Sequence, residues 1–250
     1  MEIANILILI GAGILAGFVN AVSAAGSLIT LPVLIFTGLS AAEANATNRV
    51  GVLSQNISSA YGFRSKGIKT EPYMWWLAGA AVPGAVLGAW FSLKIPDVLF
   101  NKILSAVMLV FLVVTLANPL KAGAGKEPRM ETKHKMWGVF IYFLTGIYGG
   151  FIQAGSGFFI MAGCLLLHRF DIVKTNYYKA IIMFTYTVAA FLVFLLSGNI
   201  NWMYGLVLSA GMATGGFAGS RWSMNASEKW LKGFITVMIV AMATYLWFFK

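Results

Sequence analysis

Residues 20–36 read Asn20-Ala-Val-Ser-Ala-Ala-Gly-Ser-Leu-Ile-Thr-Leu-Pro-Val-Leu-Ile-Phe36. A long apolar stretch (3–21) runs into small residues at Ser23-Ala24-Ala25-Gly26, and a second apolar stretch (27–38) follows at once. At 1.5 Å per residue that second piece reaches about 18 Å, short of the roughly 30 Å hydrocarbon layer of a membrane. The arrangement recurs at Ala154-Gly155-Ser156-Gly157, between a span at 136–154 and a short apolar piece at 158–168. Irregular backbone at membrane depth is tolerated only where it faces protein or a water-filled cavity. Two interrupted apolar helices in one chain therefore point to a membrane protein with an enclosed polar centre.

Composition agrees. Of 250 residues 59% are hydrophobic, 14% aromatic and 10% charged, and the mean hydropathy is +0.81. A soluble domain averages about 45–50% apolar and about 25% charged residues, and one with this content would expose large apolar patches. A soluble enzyme, a disordered chain and a nucleic-acid-binding domain are excluded despite the net charge of +10. One cysteine, Cys164, and no CxxC or Cys/His cluster leave no disulfide framework and no expected metal or cofactor. Eight stretches are long enough to span: 3–21, 43–63, 73–93, 98–117, 136–154, 175–197, 202–220 and 230–249. The first lacks the basic start of a signal peptide, with Glu2 its one early charge.

Residues 118–135 carry seven charges with Gly and Pro and form the most hydrophilic stretch. The chain thus divides into an N-terminal unit (1–118), a cytoplasmic linker (119–135) and a C-terminal unit (136–250). A shift of 131 residues places Gly26 on Gly157, Asn45 on Asn176, Gly84 on Gly215 and Gly88 on Gly219. It also places Ser40 on Asp171, two good helix N-caps, the first opening a capping box with Glu43. The expected fold is an all-α polytopic membrane protein of two inverted repeats with 8–10 transmembrane segments. Each repeat is one long helix, a broken short helix and three long helices.

Lys and Arg accumulate in cytoplasmic loops. With ten pieces alternating sides and the linker inside, 13 of the 18 basic residues fall inside, and only Lys94, Lys102 and Lys250 outside. Loop 64–71 carries Arg64, Lys66 and Lys69, whereas its counterpart 197–202 carries none, as inversion requires. Both termini are expected outside the cytoplasm, in a multi-pass protein of the cell's inner membrane.

Two cations then stand out. Arg49 lies nine residues after Ser40 and Lys179 eight after Asp171, so both are about 12–13 Å into the membrane. A charge there costs about 2.5–3.5 kcal/mol on insertion scales and usually marks a substrate or ion path. Glu43, Asp97 and Asp171 sit at helix ends, and no acid lies deep in a span. An uncompensated pair facing a cavity between the halves is expected, as an anion site. Snorkelling to the interface is the alternative. Asn45, Thr47, Asn48 and Asn176 supply donors one turn before the cations; Asn45 and Arg49 share a helical face. Asn20, Ser27, Gln153 and Ser156, with the helix-break glycines Gly26, Gly155 and Gly157, place further polar groups at the breaks. Short-helix N-termini favour anions; capping and interhelical bonding are equally open to these polar side chains. Inverted halves with broken helices are the pattern of secondary transporters working by alternating access. A passive anion channel uses the same basic lining, and an intramembrane enzyme would need a base, nucleophile or metal cluster that is absent from the spans. The partners expected are a small anion and the bilayer, not nucleic acid.

The stretch Gly-Phe-Val-Asn-Ala-Val-Ser-Ala-Ala-Gly-Ser-Leu-Ile-Thr-Leu-Pro (17–32), with Ala-Asn-Ala-Thr-Asn-Arg-Val-Gly-Val (44–52), resembles the TauE/SafE family of sulfite-exporter-like permeases, which includes toluene sulfonate uptake permeases. Tyr-Gly-Gly-Phe-Ile-Gln-Ala-Gly-Ser-Gly (148–157) and the stretch from Asn176 to Lys179 are similar to that family's repeated motif. The resemblance covers essentially the whole chain. It implies export or uptake of sulfite, organosulfonates or related sulfur oxyanions, coupled to the proton gradient; with no acid deep in a span, the protons are expected on bisulfite or on Lys179. A carrier of a different small organic anion stays open. By resemblance the functional positions are Asn20, Gly26, Ser27, Asn45, Thr47, Asn48, Arg49, Gln153, Gly155, Gly157, Asn176 and Lys179. Two departures are visible: Ser23-Ala24-Ala25-Gly26 replaces a glycine-rich break, and Asn-Tyr-Tyr-Lys (176–179) replaces Asn-Ala-Thr-Lys, which puts Tyr177 and Tyr178 beside the pocket.

Overall fold

The computed structural model describes residues 3–23, 26–65, 67–68, 70–117 and 128–222, and every regular element among them is helical. The expected span 230–249 and most of the linker lie outside the described residues. In order, the helices are α1 (Ile3–Ser23), α2 (Ser27–Phe36), α3 (Ala41–Arg64), α4 (Pro72–Ser92) and α5 (Asp97–Ala117). After the linker come α6 (Thr132–Phe151), α7 (Ser156–Ala162, widening to a π-helix over Gly163–Leu167), α8 (Ile172–Ser197) and α9 (Trp202–Trp222). Four helices, α1, α4, α5 and α8, are long and apolar enough to cross a membrane by length and composition. The chain is a polytopic membrane protein.

Helix α3 departs most from the apolar pattern. It buries Asn45, Thr47, Asn48, Arg49, Gln55, Asn56 and Ser59, which is possible because other helices surround it and supply partners. Its start is the expected capping box: Ser40 Oγ accepts from Glu43 N (3.2 Å) while the Glu43 carboxylate accepts from Ser40 N (3.0 Å). At the start of α8, Asp171 accepts from Lys174 N (2.9 Å). Each cap satisfies helix N–H groups that have no intrahelical acceptor.

Of the first break, Ser23 and Gly26 are described and Ala24-Ala25 lie outside the described residues. A Cβ on Gly26 would lie 2.3 Å from Ala16 O and 2.5 Å from Asn20 Cβ, so Gly26 packs directly against α1 just before α2 begins. At the second break Gln153 (φ 59°) and Gly155 (φ 73°) take left-handed backbone, and α7 starts at Ser156, two residues earlier than the apolar pattern suggests. The earlier start follows from the positive φ of Gly155, which re-aims the chain at once.

Glycine seams tie the halves together and set helix directions. Gly13 lies against Leu208, Gly17 against Met212 and Gly215 against Ile14 and Phe18, so α1 and α9 run parallel. Gly84 meets Phe143 and Gly88 meets Ile147, so α4 and α6 run parallel. Thr47 accepts from Asn201 N (3.0 Å) and Ser59 donates to Gly216 O (3.0 Å), which aligns α3 with α9. Helix α8 runs against α3: Phe63 lies 6.5 Å from Tyr177, and the Arg49 guanidinium 5.0 Å from the Phe194 ring. The Glu71–Lys174 ion pair starts α4 and α8 from the same side. Hence α1, α3 and α9 point one way, and α4, α6 and α8 the other.

Candidate functional site

Helix α6 ends at the second break, and its last carbonyls have no N–H donors within the helix. Helix α3 supplies them. Arg49 donates from Nη1 to Gly149 O (2.7 Å) and from Nη2 to Gly150 O (2.6 Å), and Asn45 Nδ2 donates to Phe151 O (2.8 Å). Asn45 also donates to Ser92 Oγ (2.9 Å), while its Oδ1 accepts from Arg49 Nη2 (3.3 Å). The guanidinium is fully buried, and its Nε–H has no hydrogen-bond partner.

Helix α1 ends at the first break, and α8 closes it the same way. Lys179 Nζ donates to Asn20 O (2.6 Å), Ala21 O (3.3 Å) and Asn176 Oδ1 (2.9 Å). The Asn45–Arg49 pair of α3 thus has a counterpart in Asn176–Lys179 of α8, each capping a broken helix from the other half. The macrodipole of a helix C-terminus is worth about half a negative charge, so carbonyl ends favour a cation but do not neutralise it. Among the described residues the ion pairs are His134–Glu131 (3.6 Å) and Lys174–Glu71. Neither includes Arg49 or Lys179.

This arrangement changes one expectation. The cations do not converge on an open chamber: both are buried, at 0% and 1% exposure, against main-chain carbonyls. In the antiparallel α3–α8 register, Tyr177 lies beside Phe63 and Phe194 beside Arg49. Lys179 is therefore about 12 residues along from Arg49, or about 18 Å at 1.5 Å per residue. The physical reason is that each orphaned helix end draws the cation to itself.

The other expected residues distribute around these two caps. Asn20 Nδ2 donates to Gln55 Oε1 (2.5 Å), which begins a relay through Gln55 Nε2 and Ser59 Oγ (2.8 Å) to Gly216 O. Asn48 Oδ1 accepts from Thr30 of α2 (2.6 Å) and leaves its Nδ2 unpartnered, as is Ser27 Oγ. Gln153 donates to Thr187 (3.1 Å), and Ser156 shares a hydrogen with the Tyr186 hydroxyl (2.6 Å). Thr47 sits apart, on the start of α9. Gln55, Ser59, Tyr186 and Thr187 were not among the expected residues. For Gln55 and Ser59 the signal was legible as Ser54-Gln55-Asn56-Ile57-Ser58-Ser59, a polar run inside a span; Tyr186 and Thr187 stand in a mostly apolar stretch with no such run.

A family model described as sulfite exporter TauE/SafE matches residues 9–246. The chain is 27% identical over 231 residues to a probable membrane transporter protein of Haemophilus influenzae, covering 92% of this chain and 90% of that one. It is 28% identical over 239 residues to the probable membrane transporter protein ORF9 of a Sinorhizobium species, covering 93% and 88%. To the probable membrane transporter protein YfcA of Escherichia coli K12 it is 26% identical over 237 residues, covering 93% and 86%. No solved structure matches the chain.

Proposed function

The chain belongs to the sulfite exporter TauE/SafE family, and from that premise, which makes it a multi-pass membrane transporter of a small molecule, we propose that its substrate is a sulfur-containing oxyanion. Sulfite or an organosulfonate would be carried by alternating access of two inverted repeats, the linker on the cytoplasmic side of the inner membrane. The opposite directions of α1 and α6, α3 and α8, and α4 and α9 support the inverted repeat, since each pair corresponds under the shift of 131 residues.

The observation that carries the anion reading is the pair of buried cations, Arg49 and Lys179, with no carboxylate in ion-pair reach among the described residues. Carbonyl dipoles offset only part of each charge, and the remaining positive potential attracts an anion into a medium where electrostatics are strong. Arg49 keeps an unpartnered Nε–H, and Asn48 Nδ2 and Ser27 Oγ offer further donors. These are the groups we assign to substrate, with Asn45 supporting Arg49. Asn20 and Asn176 belong to the Lys179 cap, Gln153 and Ser156 to the second break, and Thr47 enters from the sequence alone. A guanidinium keeps its proton whereas a buried lysine can exchange one, so proton coupling would run through Lys179 or through bisulfite.

The test is sulfite flux into proteoliposomes by wild-type chain and by Arg49→Gln, with thermal unfolding as the check on folding. Flux reduced at least tenfold in a folded variant is the expected result; unchanged flux overturns the site. Trans-stimulated counterflow separates a carrier from a channel, which would show none.

A further inference from the structure

A cleft of about 660 Å³ opens along the α3–α8 seam. It runs from Arg64 at the last turn of α3 down to Asn56 and is lined further by Tyr61 of α3, Trp75 of α4, and Tyr177 and Phe184 of α8. Asn56 is 1% exposed, and neither its amide nitrogen nor its carbonyl oxygen has a hydrogen-bond partner. Unsatisfied buried polar groups are costly and uncommon. In the antiparallel register Asn56 falls between the levels of Arg49 and Lys179, roughly at the centre of the seam.

Part of the wall follows from a departure in the sequence. Tyr177 replaces the alanine of the family-like pattern, and its counterpart in α3 under the repeat is Ala46. The counterpart of Arg64 is Leu195, and that of Asn56 is Thr187, whose hydroxyl accepts from Gln153. The opposite end of the seam thus lacks the cationic mouth and the free amide. The cleft is a one-sided feature that a symmetric repeat would not supply.

We propose that this cleft is a binding site for a soluble organic monoanion with a flat apolar body, with Arg64 drawing in the charged group, the Asn56 amide bonding it, and the aromatic walls holding the body. The volume suits such a ligand: small-molecule sites typically occupy about 300–1,000 Å³ and are mostly apolar with a few placed polar groups. A sulfite-sized anion would leave the aromatic walls without contacts, so this site suits the organic rather than the inorganic members of the proposed substrate class. It deepens the anion-transport reading but is read by binding rather than by flux.

Trp75 lines the cleft and reports on it directly. The full chain in phosphatidylcholine nanodiscs is titrated with 4-nitrobenzoate, a quencher of tryptophan fluorescence, and with neutral 4-nitrobenzamide. Saturable quenching by the anion is expected, at least tenfold tighter than by the amide, and absent in Trp75→Phe. Arg64→Gln, at the exposed mouth, should weaken it about tenfold, and Asn56→Leu, checked for folding by thermal unfolding, should weaken it at least as much. Equal quenching by the neutral amide, or no change in Arg64→Gln, overturns the proposal. So does loss of quenching on adding phosphatidylglycerol, which would make the occupant a lipid. Quenching intact without sulfite flux overturns the sulfite reading alone; flux intact without quenching overturns this site alone.

Discussion

Arg49 and Lys179 close helix ends contributed by the opposite half of the chain, but the chemistry differs. The ammonium directs three hydrogen bonds at Asn20 O, Ala21 O and Asn176, all the N–H groups it has. The guanidinium binds two successive carbonyls as a planar fork, lies 5.0 Å from the Phe194 ring, and still has an unpartnered Nε–H. The lysine end is a saturated cap. The arginine end is a cap with a donor to spare, which makes it the better candidate to meet an anion directly.

The largest effect should come from removing the fork. Arg49→Met orphans Gly149 O and Gly150 O, each worth about 1–3 kcal/mol when buried and unsatisfied, so a marked drop in thermal unfolding temperature should accompany loss of flux. Lys179→Met orphans Asn20 O and Ala21 O and should destabilise comparably. If Lys179→Met were severe and Arg49→Met mild, the ranking of the two ends would be reversed.

Exchanging the cations sharpens the comparison further. Lys179→Arg keeps the charge but removes the proton that can be released. At fixed pH flux should persist within a few-fold, while its stimulation by an imposed pH gradient should disappear. A gradient response that survived would move proton coupling onto the substrate.

The two glycine seams offer a control on the fold itself. A Cβ on Gly88 or Gly215 would sit 1.9 Å from a backbone oxygen, Ile147 O in α6 and Ile14 O in α1. Gly88→Ala and Gly215→Ala should therefore each destabilise by about 1–3 kcal/mol, as overpacking does. Gly79→Ala, with nothing within 4 Å of its added Cβ, should be nearly neutral in the same unfolding assay.

Much of this was legible in the chain. Caps at Ser40 and Asp171, both short apolar pieces and the buried cations follow from local signals: residue type, spacing and length. The partners of the cations were not legible, because they are main-chain carbonyls. Gly149, Gly150, Asn20 and Ala21 accept through atoms that every residue carries, so no side-chain pattern announces them. Nor does a self-alignment reveal that α3 caps the helix of the other half rather than its own. Asn56 was visible as a polar residue in a span, but its lack of a partner is a property of the packed seam.

The smallest effect lies at the two ends of the seam. Where α4 and α8 begin, Glu71 pairs with Lys174, and the Glu71 amide donates to the Tyr178 hydroxyl (3.2 Å). At the corresponding junction of α9 and α3 the link is neutral, from Asn201 N to Thr47 Oγ1. The carboxylate is 43% exposed and the ammonium 21%, so solvent screens the pair and its coupling should be about 0.2–1 kcal/mol. A double-mutant cycle of Glu71→Gln and Lys174→Met should yield that coupling at low salt and less of it at 0.5 M. Thr47→Val should cost about 0.5–1.5 kcal/mol at any ionic strength. Equal salt sensitivity at the two ends would mean that Glu71–Lys174 acts as packing and not as charge, and that the ends of the seam differ only in shape.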